Sequence, residues 1–157
     1  MFQLSRSGEY AIRAMVYLAT RNSDSITSIA EIAQSDGTPE TFLRKIVQQL
    51  IRAKLLRSIR GVHGGISLAR AAKFVSLLDV VEAVEGPIML NKCLIGPEEC
   101  NKWKWCPVHT VWSEAQIQLV NTLKGKTIAD LASEQKNFNP PGPVSTAKQG
   151  AALRVKK

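Results

Sequence analysis

Residues 28–50, SIAEIAQSDGTPETFLRKIVQQL, decide the fold. Ser28, with Glu31 three residues later, is typical of a capping box at the start of a helix. Gly37 can adopt the positive φ that a tight turn requires, and Pro39 then falls near the first turn of a second helix. The apolar residues of this second helix recur at helical spacing and comprise Phe42, Leu43, Ile46, Val47 and Leu50. The stretch therefore predicts a helix-turn-helix, whose second helix ends near Ala53.

The flanking segments extend this motif into a winged helix. Before it, EYAIRAMVYLA (residues 9–19) has apolar residues at helical spacing and predicts a helix over 7–21, followed by a loop at SDSIT (residues 23–27). After it, LLRSIRGVHGGISLAR (residues 55–70) alternates apolar and polar residues around GVHGG, which predicts a β-hairpin with a flexible, glycine-rich tip. The two helices alone could be a plain αα-hairpin, but the β-hairpin that follows favours a DNA-binding wing.

The distribution of charge also favours a nucleic-acid partner. The formal net charge is +8, yet between Thr41 and Leu78 there is no acidic residue at all. The basic residues of this segment are Arg44, Lys45, Arg52, Lys54, Arg57, Arg60, Arg70 and Lys73. A run of one sign is often only a solvated face, but a run this long and one-sided is typical of a protein that binds a polyanion.

The second half of the chain predicts helices around an irregular loop. SLLDVVEAVEG (residues 76–86) predicts a helix that stops at Gly86, and TIADLASEQ (residues 127–135) predicts a short helix capped by Thr127 with Asp130 at its third position. Between them, HTVWSEAQIQLVNTLKG (residues 109–125) predicts a long helix that is apolar on two faces. Such a helix suits a position between its own domain and a partner subunit. The residues predicted to form the dimer contact are Trp112, Ala115, Leu119 and Leu123.

These elements predict a mainly α fold with a small β-hairpin, of the α+β class. We expect a winged helix-turn-helix DNA-binding domain over residues 1–75. Residues 76–136 are predicted to hold a cluster-binding loop and the dimerisation helices. Residues 137–157, which carry four basic and no acidic residues, are predicted to be a disordered basic tail.

All three cysteines lie in residues 93–109, CLIGPEECNKWKWCPVH. Iron–sulfur clusters are held by thiolates, and a loop of this size can fold around a cluster on Cys93, Cys100 and Cys106. Three thiolates leave one position unfilled on a four-ligand count. His109 lies three residues after Cys106 and could fill that position if a helix starts there.

Five segments of the chain together resemble the IscR/NsrR/RirA group of bacterial winged-helix regulators, the Rrf-type family. They are LSRSGEYAIRAMVYLA (residues 4–19), TSIAEIAQ (27–34), TFLRKIVQQLIRAKLL (41–56), SIRGVHGGISLAR (58–70) and CPVHTVW (106–112). The resemblance implies a homodimer joined by its long C-terminal helix and bound to a palindromic double-stranded DNA operator. It also implies a 2Fe–2S or 4Fe–4S cluster on the three cysteines that controls DNA affinity. Glu9 matches a position where the family sometimes uses an acidic fourth ligand from the partner subunit, so Glu9 and His109 both remain candidates.

Other interpretations of the cysteine loop stay open. A Cys3His zinc site has suitable ligand types, but structural zinc loops generally contain cysteines two to four residues apart, and no such pair occurs here. Clustered exposed thiols could instead form a redox switch without any metal. Simple packing of small buried cysteines is the plainest alternative, although a loop this polar is a poor core.

The recognition helix predicts how DNA would be read. N-terminal residues of such a helix reach the major groove, where arginine or lysine can donate to guanine and an aromatic ring can meet a thymine methyl. The candidates there are Thr41, Phe42, Arg44 and Lys45. Arg60 in the wing is the candidate for the minor groove. Arg52, Lys54 and Arg57 are predicted to hold phosphates. In the family a tyrosine often stands at the position of Phe42 and an acid near Arg44, so the operator sequence is not carried over.

The remaining features narrow the class of protein. No apolar run approaches the length of a membrane span, and the N-terminus lacks the order of a signal peptide, so we expect a cytoplasmic protein. RGVHGG lacks the lysine of a phosphate-binding loop, and no spacing supports a Ser/His/Asp set. The sequence thus predicts a non-enzymatic transcription repressor controlled by an iron–sulfur cluster that senses iron, nitric oxide or redox state. The alternative is a cluster-free regulator that uses its thiols as a redox switch or zinc site.

Overall fold

The computed structural model describes residues 3–21 and 25–137. The helices are α1 (Arg6–Thr20), α2 (Ile29–Asp36), α3 (Glu40–Arg52), α4 (Leu77–Glu85), α5 (Pro107–Lys124) and α6 (Ile128–Asn137). The strands are β1 (Leu56–Ile59) and β2 (Gly65–Leu68), and short 3-10 helices occur at Ala72–Phe74 and Lys92–Leu94. The predicted mainly α fold with one β-hairpin is confirmed, whereas nearly all of the predicted disordered tail lies outside the described residues.

The start of α2 follows one half of the predicted capping box. The hydroxyl of Ser28 accepts a hydrogen bond of 3.1 Å from the backbone N–H of Glu31. The carboxylate of Glu31 turns to α1, where it accepts a hydrogen bond of 3.0 Å from Tyr17 and pairs with Arg21. Glu31 therefore links the helix-turn-helix to α1.

The glycine turn between α2 and α3 is confirmed. Gly37 has a φ of +66° and nothing within 4 Å of the position a Cβ would take, so the backbone conformation and not the space explains the glycine. The N–H of Thr38 donates to the carbonyl oxygen of Ala33 over 3.0 Å and closes the end of α2. Pro39 then occupies the N-cap position of α3, where its missing N–H costs nothing.

The hairpin is part of a slightly larger sheet than the sequence predicts. β1 and β2 pair in an antiparallel register from Leu56 opposite Leu68 to Ile59 opposite Gly65. Thr27, predicted to lie in a loop, pairs with Ile66 on the other side of β2 through hydrogen bonds of 3.0 and 2.9 Å. A Cβ at Gly65 would lie 2.5 Å from the Thr27 carbonyl oxygen, so this glycine serves close packing.

One hydrophobic core joins the winged helix to the last helix of the described chain. Met15 in α1, Leu50 in α3 and Ile66 in β2 are buried in the same cluster as Ile128 and Ala132 of α6. Val75 and Val80 complete this cluster from the α4 side, so elements assigned by sequence to the second segment share the core of the first.

A second, smaller hydrophobic cluster packs α5 against α4. Leu78, Val81 and Ile88 are buried there, and three side chains of α5 pack against them, namely Leu119, Val120 and Leu123. Within the described residues, no helix is long and apolar enough to cross a membrane.

The predicted cap of α6 is also confirmed. The backbone N–H of Asp130 donates to the Thr127 hydroxyl over 3.1 Å, and the Asp130 carboxylate accepts from the Thr127 backbone N–H over 3.0 Å. This hydrogen bonding holds the pKa of Asp130 below its ordinary value.

Candidate nucleic-acid interface and cysteine pocket

The exposed face of α3 is polar and basic. Its core-facing side chains, Leu43, Ile46, Val47 and Leu50, are all buried, which turns the residues between them outward. The outward positions are Thr41, Arg44, Lys45, Gln48 and Arg52. Sequence analysis missed Gln48, although its spacing from Arg44 and Lys45 could have identified it.

Phe42 lies at the edge of this face and is partly buried. Its ring packs edge-on against Tyr10 of α1, with centroids 5.7 Å apart and an interplanar angle of 82°. It also packs against the main core. The contact between Phe42 and a thymine methyl remains a prediction, and the structure gives the ring a second role in joining α3 to α1.

Arg44 is held along the helix by an ion pair with Glu40, one turn earlier. The Arg44 side chain is 61% exposed and that of Glu40 39%, so this solvated pair contributes only about 0.3–0.5 kcal/mol to stability. Such a pair orients the guanidinium at little cost and can be exchanged for a stronger contact with a base or phosphate.

A groove of about 280 Å³ separates α3 from the wing. Arg44 lines one side, and Ser58, Ile59 and Gly64 of the hairpin line the other. The N-terminal end of α2, from Ser28 to Ala30, closes the groove. A helix N-terminus carries partial positive charge, so Arg44 and α2 give this recognition groove a field that favours a phosphate backbone.

The wing places its two candidate arginines differently. Arg60 is exposed beside Gly61 at the tip, where the side chain of Val62 is 98% exposed. Arg57 pairs in register with Ser67, and its Nε donates to the Ser67 hydroxyl over 2.8 Å. Because side chains alternate along a strand, Arg57 faces away from its neighbour Ser58, and it does not line the recognition groove.

The two remaining phosphate candidates lie at the end of α3. Arg52 is the last residue of that helix, and Lys54 follows in the turn with a φ of +58°. Both side chains are exposed. They extend the basic surface of α3 toward the start of β1.

All three cysteines line one pocket of about 300 Å³. Cys93 belongs to the short 3-10 helix, Cys100 to the irregular loop, and Cys106 is the N-cap of α5. Each is a partly buried free thiol. The other lining residues are Asn91, Lys92, Glu99, Val108, His109 and Trp112. Glu99 is a further carboxylate that sequence analysis did not single out.

His109 has an unsatisfied ring nitrogen in this cysteine pocket. Its Nδ1 is buried and has no hydrogen-bond partner among the described residues. The Trp103 ring lies beside it, with centroids 6.0 Å apart. A buried polar atom without a partner costs about 1–3 kcal/mol, which a bound metal or proton donor would recover. Glu9 is exposed in the first turn of α1 and does not line the pocket of its own chain.

The donor set fits an iron–sulfur cluster better than a single ion. Among the described residues, no three His, Cys, Asp or Glu side chains come close enough together to hold one metal ion. The thiolates of a multi-iron cluster bind different iron atoms and stand farther apart than the ligands of one zinc ion. Three thiols and an imidazole line one pocket, so the residue types are ones that hold such a cluster.

Gln116 fastens the start of the cysteine loop to α5. Its Nε2 donates to the carbonyl oxygen of Ile88 over 2.5 Å, and its Oε1 accepts from the N–H of Leu90 over 2.9 Å. Both bonds are partly buried. We call this pair of bonds the Gln116 clamp. A polar residue on a helix gives no sequence signal for such a contact.

The two apolar faces of α5 have different surroundings. Leu119 and Leu123, predicted to form the dimer contact, pack against Leu78 and Val81 of their own chain. Trp112 lines the cysteine pocket, and Ala115 is half-buried. The most exposed apolar side chains of the helix are Val111 at 62% and Ile117 at 56%.

The recognition groove, the wing and the basic face of α3 define a winged-helix transcriptional regulator that binds DNA. The chain belongs to the Rrf2 family, described as "Iron-dependent Transcriptional regulator", whose model matches residues 4–134.

Relatives and solved structures agree with this assignment. The chain is 33% identical over 134 residues to an HTH-type transcriptional regulator of Aquifex aeolicus (strain VF5), covering 83% of this chain and 92% of that protein. It is 30% identical to CymR, the global cysteine regulator of B. subtilis, with a TM-score of 0.65 over 85% of this chain and 98% of that one. T. potens IscR shares the fold with a TM-score of 0.71 at 23% identity, over 90% and 94% of the two chains.

Proposed function

We propose that this protein is a homodimeric, cytoplasmic repressor whose affinity for a palindromic operator is controlled by an iron–sulfur cluster. The cluster, of the 2Fe–2S or 4Fe–4S type, would be held by Cys93, Cys100 and Cys106. The observation that carries the proposal is the buried, unpartnered Nδ1 of His109 in the pocket that all three thiols line. That arrangement favours His109 over Glu9 as the fourth ligand within one chain.

The proposed DNA contacts depend on where each basic residue lies in the winged helix. Arg44 and Lys45 are the fifth and sixth residues of α3, in its second turn, where they can donate to guanine in the major groove. Thr41 precedes them at the end of the helix that enters the groove. Arg60 extends from the wing tip toward the minor groove, and Arg52 and Lys54 hold phosphates.

The surroundings of the thiols suit a charged cofactor. A bound cluster would supply redox and ligand-exchange chemistry that changes the charge of the pocket. Cys106 lies at the N-terminus of an 18-residue helix, whose dipole favours negative charge at that position. Trp112 and Val108 add apolar surface to the same pocket.

The first turn of α5 connects the pocket to the rest of the fold. Cys106 and His109 lie in or beside that turn, and near its other end α5 packs through Leu119 and Leu123 against α4. α4 in turn contributes Val80 to the core shared with the helix-turn-helix. A change in ligation at the pocket would thus shift α5 and reset the spacing of the two recognition helices across the dimer.

The dimer contact would use the exposed part of α5. Its most exposed apolar side chains, Val111 and Ile117, are more than half exposed. A second copy of α5 would cover them. Trp112 and Ala115 lie at helical spacing from Leu119 and would extend the contact, whereas Leu119 and Leu123 would support it from the protomer side.

A cluster-free thiol switch is the second candidate function. The three thiols are free and only partly buried, so they are accessible to oxidants. Zinc is the weaker form of this alternative because the described donors do not converge on one ion.

An anaerobic purification separates these possibilities. The wild-type protein should show a visible cluster absorbance with iron and sulfide bound, and Cys100→Ala should lose both. Glu98→Gln, a change in the same loop that does not touch the pocket lining, should retain them. A colourless wild-type protein that binds no iron after reconstitution would rule out the cluster and leave the thiol switch.

A further inference from the structure

A second basic concavity lies behind the wing. It has a volume of about 370 Å³, and three arginines line it, Arg21, Arg57 and Arg70. The other lining residues are Ala19, Leu68, Ala69, Ala71 and Ala72. Asp and Glu are absent from this described lining. We call this site the arginine pocket.

The arginine pocket is separate from the recognition groove. Arg57 and Ser67 are paired on one face of the hairpin, whereas Ser58 and Ile66 are paired on the other and line the recognition groove. The two concavities share no lining residue, since Arg57 and Leu68 line the arginine pocket and Ser58, Ile59 and Ile66 line the recognition groove. Arg57 therefore belongs to a different site from Arg44.

Two of the three guanidinium groups are oriented by the protein itself. Arg57 donates from Nε to the Ser67 hydroxyl over 2.8 Å, so that bond leaves its two Nη groups for another acceptor. Arg21 is held by contacts with Tyr17 and Glu31, and its guanidinium lies 5.0 Å from the Tyr17 ring centroid. Preorganised arginines lose less side-chain entropy when they bind an anion.

The charges and the shape of the pocket define the ligand. Arg21 is already paired with Glu31, so the repulsion around the concavity is mainly between Arg57 and Arg70, and an anion between them relieves it. Arginine presents a planar fork of donors that matches the oxygens of a phosphate group. Four alanines leave the floor shallow and open to a group of that size.

We propose that the arginine pocket binds a phosphate-type oxyanion. Two sources share this chemistry: the phosphodiester backbone of DNA beyond the recognition groove, or a free phosphorylated small molecule. The proposal concerns a site that neither the cysteine pocket nor the recognition groove contains, and it holds whether or not the protein carries a cluster.

The first arm of the test contains no DNA. Inorganic pyrophosphate is titrated into the full-length protein at low salt, and the heat of binding is measured. We expect saturation near one site per chain, with affinity at least about tenfold weaker in Arg57→Gln and in Arg70→Gln, since each loses a charge-assisted contact. Lys136→Gln removes the same charge from α6, outside the pocket lining, and should bind like the wild type.

The second arm uses a duplex of arbitrary sequence and varies the salt concentration. Each phosphate contact contributes about 0.9 to the slope of log affinity against log salt, so combining Arg57→Gln with Arg70→Gln should lower that slope by about 1.8. Lys136→Gln should leave it unchanged. This arm supports DNA as the source, whereas pyrophosphate binding with an unchanged slope supports a free phosphorylated molecule.

Absence of both effects overturns the proposal, because it means that the arginines are neutralised within the protein. Equal losses in Lys136→Gln and the pocket variants would overturn it as well, since they would show an effect of net charge alone. Thermal melting of each variant establishes that it is folded. Arg70→Gln is the safer variant, as its side chain has no hydrogen bond within the described residues. A negative result for the arginine pocket would not affect the proposals for the recognition groove or the iron–sulfur cluster, so these proposals are tested separately.

Discussion

The recognition helix and the cysteine loop are built on different principles. In α3, four side chains are at most 1% exposed, and the packing of these residues determines which side chains face outward. In α5, which begins at the cysteine loop, no residue is fully buried within one chain. The exposed surface of α3 is thus supported within a single protomer, whereas the cysteine loop is held by the Gln116 clamp and a small hydrophobic cluster.

This difference indicates what each region responds to. A surface supported by a close-packed core keeps its geometry when conditions change. A loop held by few buried contacts takes its geometry from whatever ligand its donors bind. The contrast is expected of a regulator whose reading surface stays constant while its sensing loop changes.

The largest effect should come from the core beneath the recognition helix. Leu50 is fully buried, so Leu50→Ala should lower the free energy of unfolding by about 2–5 kcal/mol. Urea unfolding followed by circular dichroism measures it. Val62→Ala at the exposed wing tip is the control, with a change within about 0.5 kcal/mol. If Leu50→Ala lowered the free energy of unfolding by less than about 1 kcal/mol, α3 would not be supported by this core.

The next effect concerns DNA affinity and leaves stability nearly unchanged. Arg44→Gln should weaken binding to the selected operator by about 1–3 kcal/mol, roughly 5- to 150-fold, if Arg44 reads a guanine. Fluorescence anisotropy with a labelled duplex measures the affinity. Lys136→Gln on α6 serves as the charge-matched control. Equal weakening by both changes would show that Arg44 contributes only charge.

Loss of the Gln116 clamp should lower stability modestly and should loosen the cysteine loop. Gln116→Ala removes two partly buried hydrogen bonds and should cost about 1–2 kcal/mol. It should also speed the loss of iron from the loaded protein, measured by the decay of visible absorbance under a chelator. Gln118→Ala is the matched control, because Gln118 is exposed on the same helix. Identical iron loss in the two variants would separate the clamp from the pocket.

The smallest effect should appear at acid pH. The hydrogen bonds from Thr127 hold the pKa of Asp130 below its ordinary 3.8. A carboxyl group with a lowered pKa in the folded state stabilises the protein above its ordinary pKa, and this contribution disappears as the pH falls through the lowered value. The wild type should therefore melt above Asp130→Asn near about pH 6, and the difference should vanish near about pH 2. A difference that is constant with pH would contradict the cap.

Local sequence patterns predicted most of the helix-turn-helix. Ser28, Gly37 and Pro39 act on neighbouring backbone groups, so their effect on α2 and α3 is visible in the sequence. Thr27 was misplaced in a loop because its partner, Ile66, is far away in the chain. One isolated bridge has no alternation that could reveal it.

For the cysteine loop, the sequence predicted which residues lie together, but it did not predict the contacts that hold the loop in place. The three cysteines and His109 do line one pocket. The Gln116 clamp and the packing of Leu119 on α4 depend on contacts between distant segments, which periodicity does not encode. Arg57 was predicted to hold a phosphate together with Arg52 and Lys54; it lines the arginine pocket and does not line the recognition groove.

The most direct measurement compares operator affinity of one protein preparation before and after its cluster is removed. The operator is first selected from random duplexes, and Cys100→Ala provides a form that does not carry the cluster. The account predicts that wild-type affinity changes at least about tenfold on removal, equivalent to about 1.4 kcal/mol of coupling, and then matches that of Cys100→Ala. Equal affinity of the loaded and cluster-free forms would contradict it.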